Sequence, residues 1–259
     1  MPLPHIPAKT WIIVLMFFPG WLSAQIVNIE SRRKLFETDT TTWFGAIDLG
    51  FNFTQNGNSV YTFMGNAHFE RQHQHNLWMS LSNYRLININ GESFVNSGFQ
   101  HFRYNRQVTE AITGEVFGQI QYDERLRIRL RGLLGAGPRF RLLSFDQGIV
   151  CLGFSYMYQY EEIAKTNIIH RDHRLNSYLS VNYEFLPGFR LISTSYYQPL
   201  LTDLNVTRFS SQSTILLKIS NHLSFRSAFN ITFDSRLSED AAGVPVTVYS
   251  LVNGLKWTF

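Results

Sequence analysis

Residues Val246 to Phe259 read VTVYSLVNGLKWTF, and their alternation decides the fold. Tyr249, Leu251, Leu255, Trp257 and Phe259 fall on one parity; Ser250, Gly254, Lys256 and Thr258 fall on the other. Successive side chains of a strand point to opposite faces, so one face here is apolar and the other polar. A strand standing between lipid and a polar lumen needs that division. Gly254, Trp257 and the terminal Phe259 also have the form of the C-terminal assembly signal of bacterial outer-membrane barrels: glycine, two residues, aromatic, one residue, aromatic. This implies the barrel-assembly machinery as a partner and outer-membrane lipid as the surroundings.

The opposite end agrees. Lys9 gives a sparse positive region, Trp11 to Phe18 (WIIVLMFF) a short apolar run, Pro19-Gly20 a break, and Leu22-Ser23-Ala24 a cleavage site. The run is too short to cross a bilayer as a helix, so residues 1–24 are expected to be a removable export signal. Residues 25–40 lack alternation and carry Arg32, Arg33 and Lys34, which suits a periplasmic lead. Residues 41–259 are then the barrel. No long apolar stretch follows Ala24, which excludes a helical membrane protein.

Composition points the same way. Aromatic residues make up 15% and charged residues only 16%, against about a quarter charged in soluble domains. Dispersed Phe and Tyr suit aromatic girdles at two membrane interfaces. Cys151 is the sole cysteine, so no internal disulfide can form. The net charge is +4, but the arginines are interleaved along strands rather than clustered, which argues against nucleic acid. No cofactor is implied.

About twelve strands are expected, an all-β single antiparallel transmembrane β-barrel. Gly45, Ile47, Leu49, Phe51 and Phe53 share a face opposite Asp48 and Asn52, and Asn56-Gly57 supplies a tight hairpin turn. Asn90-Gly91 and Pro187-Gly188 mark further turns. The alternation recurs around Leu152 to Gln159, Arg174 to Phe185, Thr214 to Ile219 and Leu223 to Asp234; near Trp78 and Ile192 it is poor. Three long connections, Glu161 to His173, Leu200 to Arg208 and Ser235 to Pro245, are all odd-numbered, as extracellular loops should be when both ends lie in the periplasm. A soluble barrel would present the same alternation turned inside out; the export signal and Phe259 favour the membrane form.

The densest polar feature is Arg127, Arg129 and Arg131 at period two. Facing lipid, each would cost about 2–4 kcal/mol near the midplane, so the lumen is the expected direction. With turns centred on Thr109 and Glu124, Glu115 falls opposite Arg103 and diagonal to Arg131. The expectation is a lumen charge cluster of Arg103, Glu115, Arg127, Arg129 and Arg131. Such a cluster either fills a narrow lumen or lines a pore for small anionic solutes, and filling is the leading reading. His73 and His75 in one connection, and His170 and His173 in another, read as solvated loop residues. Asp172-His173, with Asp203, Glu239 and Asp240, is all that a hydrolase at the outer lip could draw on, and no spacing joins them. The function expected is therefore non-enzymatic, with no catalytic or metal residue.

Four stretches carry a family likeness: Asn96 to Asn105 (NSGFQHFRYN), Glu115 to Leu143 (EVFGQIQYDERLRIRLRGLLGAGPRFRLL), Tyr156 to Glu162 (YMYQYEE) and Ser195 to Leu200 (SYYQPL). Together they resemble a bacterial family of unknown function described as salt-induced outer-membrane proteins. The opening Gln25 to Arg33 (QIVNIESRR) is similar to members from the Bacteroidetes. The resemblance implies export, one Gram-negative outer-membrane barrel and no cofactor. It supplies no reaction and no catalytic residues.

Overall fold

The structure, a computed structural model, describes residues 41–257 apart from residue 242. The expected export signal, the lead over residues 25–40 and Phe259 lie outside the described residues. The strands are β1 (Thr42–Asn56), β2 (Asn58–His73), β3 (Asn76–Ile89), β4 (Glu92–Gln107), β5 (Ile112–Asp123) and β6 (Ile128–Phe145). They continue with β7 (Gly148–Ile163), β8 (Ile169–Leu186), β9 (Phe189–Pro199), β10 (Thr207–Lys218), β11 (Leu223–Asp234) and β12 (Thr247–Trp257), with a short helix α1 (Leu237–Asp240) before the last.

Each strand pairs with its sequence neighbours in one 12-stranded sheet, in the order β1 to β12. All pairings are antiparallel. The chain is all-β, a single antiparallel up-and-down β-barrel fold of twelve strands in which each strand from β2 to β11 is paired on both edges. Among the described residues, β1 and β12 share no register, so the seam between the two ends is unpaired. β1 is exposed on both faces along its whole length.

The turns follow local chemistry. Asn90 and Gly91 both take positive φ, 53° and 88°, as a two-residue hairpin turn requires. Gly188, at φ 85°, follows Pro187. At the first hairpin only Gly57 has positive φ, 73°, and the ladder runs up to Asn56 opposite Asn58. The crown there is one residue rather than the expected two. The connections at residues 164–168, 200–206 and 235–246 are the long ones. An even strand count places them together on one side, hereafter the loop side.

The faces separate as alternation demands. On β7, Cys151, Ser155, Met157, Gln159, Glu161 and Ile163 are buried inside the roll. Phe154 and Tyr156, on the other parity, are exposed outside, as are Leu49, Phe51, Phe102, Leu134, Leu179, Leu251 and Trp257 elsewhere. β3 departs from this rule. Leu77, Met79 and Leu81 point inward as a small apolar cluster joined by Phe99. Outside, the Ser82 hydroxyl donates to Gln100, whose amide donates to Ser80 at 2.9 Å. This local inversion is why the alternation near Trp78 is poor.

Candidate functional site

The inward face of the roll is a network of buried ions. Its centre is Glu161, near the loop-side end of β7. Arg131 of β6 donates to one carboxylate oxygen, and Arg208 of β10 reaches the other at 3.0 Å. Gln159 donates to Glu161 at 2.5 Å and accepts from Arg208 at 2.7 Å. Arg208 also donates to Asp234 of β11 at 2.5 Å. Two guanidiniums therefore meet two carboxylates. β8 and β9 stand between β7 and β10 in the sheet, so the Arg208 contacts are a chord across the lumen.

A second group lies on β8. Arg174, at 0% exposure, donates to Asp172 at 2.9 Å and to the Gln198 carbonyl at 2.9 Å. Gln198 donates to Asn176 at 2.7 Å, and Asn176 donates to Ser155 at 2.8 Å. From the loop before α1, Arg236 donates to Asp172 and approaches the His170 Nδ1 at 3.3 Å. His170 Nε2 lies 2.9 Å from Asp240. Leu237 and Ala241 are buried, so the connection from β11 to β12 folds onto the mouth of the roll.

The third group is Glu115. Arg103 approaches it at 3.3 Å and Arg139 at 3.8 Å, and the Tyr178 hydroxyl donates to it at 2.5 Å. Tyr178 lies on β8 and Glu115 on β5, so this is a second chord. The Arg103 guanidinium also sits over the Phe117 ring at 5.1 Å. A buried ion costs several kcal/mol unless countered, and the pairing of carboxylates with guanidiniums in each group meets that demand.

The structure brings together some of the sequence-predicted residues and separates others. Arg103 and Glu115 are brought together at 3.3 Å, and Glu115 sits opposite Asn105 rather than opposite Arg103. Arg131 is opposite Gln121, not Phe117, and serves Glu161 instead of Glu115. Arg127 and Arg129 are not in the lumen cluster. Arg127 occupies the turn with φ 56°. A bulge between Ile128 and Leu130 places Arg129 and Leu130 both outside, and Arg129, 76% exposed, pairs with Glu162 at 3.6 Å. One extra residue changes parity, so period two no longer means one face.

The histidines also differ from expectation. His170 belongs to the lumen mouth, and His173 packs outside against Tyr156 and Tyr158. Of these four, His75 alone lies in a connection; His73 ends β2, its Nδ1 2.7 Å from the Thr41 hydroxyl. Asp172 is buried inside while His173 is exposed outside, so adjacent residues face opposite solvents and cannot act as a pair. Sequence reasoning missed Glu161, Asp172 and Arg208 because it placed them in loops. The signal was present: Gln159 and Glu161 continue the inward parity of β7, and Asp172 that of Arg174 and Asn176.

Comparison with known proteins adds a family. Residues 47–243 match the family described as "Protein of unknown function, DUF481". No curated protein matches the sequence. A solved structure described as "NanC porin structure in rhombohedral crystal form" is similar with a TM-score of 0.48 and 9% identity, covering 85% of this chain and 99% of that one.

Proposed function

We propose, for a chain that belongs to the DUF481 family of proteins of unknown function, a non-enzymatic envelope role as an outer-membrane barrel whose lumen is filled by its own charged side chains. The single observation that carries this reading is Arg208. It leaves β10, crosses to Glu161 and Gln159 on β7, and is 4% exposed. Buried side chains that bond to one another across the lumen close it to solutes. The exposed apolar face supports a membrane setting, with the long loops outside the cell and both chain ends in the periplasm. Outer-membrane lipid surrounds it, and the assembly machinery engages Gly254, Trp257 and Phe259. A role in salt response and a Bacteroidetes source rest on resemblance alone and supply no mechanism.

The test is conductance in planar lipid bilayers. Unaltered protein is expected to give no steady single-channel steps, and Glu161→Ala combined with Arg208→Ala to introduce them. Steady, anion-preferring steps from the unaltered protein would overturn the reading. They would favour a narrow pore for small anionic solutes, walled by Arg103, Arg131, Arg139, Arg174 and Arg208.

A further inference from the structure

The outer surface of β6, β7 and β8 at the loop side carries cations that the lumen network does not use. Arg129 pairs with Glu162 at 3.6 Å, the Tyr160 hydroxyl donates to Glu162 at 2.5 Å, and the Arg171 guanidinium lies 5.8 Å from the centre of the Tyr160 ring. Arg129, Glu162, Tyr160 and Arg171 thus form one outward-facing row across three strands. The Ala164 amide donates to the Arg127 carbonyl at 2.6 Å, which docks the β7–β8 loop on the β5–β6 turn and brings exposed Lys165 beside Arg127. Four cations stand here against Glu162.

Toward the membrane, the same surface carries tyrosines beside small residues, with exposed Leu134 between them. Tyr160, Tyr158 and Tyr156 of β7 stand opposite Gly132, Leu134 and Ala136 of β6. A Cβ added at Gly132 would meet nothing within 4 Å, so space is open beside Tyr160. Guanidiniums bind phosphate oxygens through paired, fixed donors. Tyrosines at this depth form the interfacial belt against which acyl chains lie.

We infer that this surface binds a lipid with an anionic phosphate headgroup in the loop-side leaflet, Arg129 and Arg171 clasping the phosphate and the open space over Gly132 receiving an acyl chain. The assignment to that leaflet rests on the membrane reading above; lipid retention is independent of whether the lumen conducts, so the two can fail separately. Cations that merely border a membrane would favour any anionic lipid over a zwitterionic one, but their preference would not depend on the space over Gly132.

Native mass spectrometry of the purified protein in detergent tests this, with dioleoyl phosphatidic acid, dioleoyl phosphatidylcholine and inorganic phosphate as probes. Phosphatidic acid should be retained at least five-fold better than phosphatidylcholine. Arg129→Gln with Arg171→Gln should abolish the preference. Gly132→Leu, which leaves every charge in place, should weaken retention of phosphatidic acid. Arg190→Gln, on β9 in an ion pair with Glu184 near the opposite end of β8, should change nothing. Equal retention of the two lipids, equal loss from Arg190→Gln, or no effect of Gly132→Leu would overturn the inference. So would displacement of phosphatidic acid by millimolar inorganic phosphate, which would mark an ion site without a lipid.

Discussion

β1 and β7 alternate equally well in sequence, yet they end in opposite environments. On β7, every inward residue from Cys151 to Ile163 is buried, and the one charged residue among them, Glu161, is countered from β6 and β10. On β1, the inward parity of Asp48 and Asn52 is as exposed as the outward parity of Ile47 and Phe51. The difference lies in the neighbours. β7 has a strand on each side and Arg208 reaching in from across the roll, whereas β1 has only β2. Alternation encodes which face a residue takes; it does not encode what meets that face. An unpaired strand edge leaves its backbone donors and acceptors without strand partners, so among the described residues the seam is the least supported part of the sheet.

Three pairs of substitutions test that contrast, each measured by urea unfolding in lipid vesicles. The largest effect belongs to Glu161→Ala, which leaves Arg131 and Arg208 short of a counter-ion and should cost about 3–5 kcal/mol. Asp48→Ala on β1 should stay within about 0.5 kcal/mol. Equal losses would show that β1 faces a network of its own. Next comes Tyr178→Phe, which removes the donor to buried Glu115 and should cost about 1.5–3 kcal/mol. Tyr61→Phe on the first hairpin should be close to neutral, and a comparable loss there would contradict the exposure of that hairpin. The smallest is Gly137→Ala. Its added carbon would lie 2.0 Å from the Phe154 carbonyl oxygen and 2.5 Å from the Ser155 Cα, which should cost about 1–3 kcal/mol. At Gly50 on β1 the nearest atoms are 4.0 Å away, in Met64. If both glycines tolerate alanine, the wall between β6 and β7 is looser than the geometry requires.

Much of the fold was legible because period-two alternation is a direct record of two solvents. The outward face of β12 follows from it, and the turn at Asn90-Gly91 follows from two residues that accept positive φ, whereas the first hairpin's register does not, since its crown is one residue shorter than expected. The interior was less legible for physical reasons. The bulge at Arg129 adds one residue to β6 and reverses parity, and nothing in that Arg-rich run announces it. The true β4–β5 register, with Asn105 opposite Glu115, depends on where the turn after Gln107 closes. Glu161 and Arg208 are separated by 47 residues in the chain, so only the rolling of the sheet could join them. β3 misled in the other direction: its inward face is apolar where a lumen would be polar, because it packs as a small core rather than bordering water.

Cys151 has a practical consequence. It is the chain's sole thiol and is 2% exposed on the inward side of β7. A maleimide reagent can reach its sulfur only when the wall around β7 parts, so the rate of alkylation is a built-in clock for opening of the barrel. That clock ticks without any engineered label, and it reads the very strand whose Glu161 meets Arg131 and Arg208.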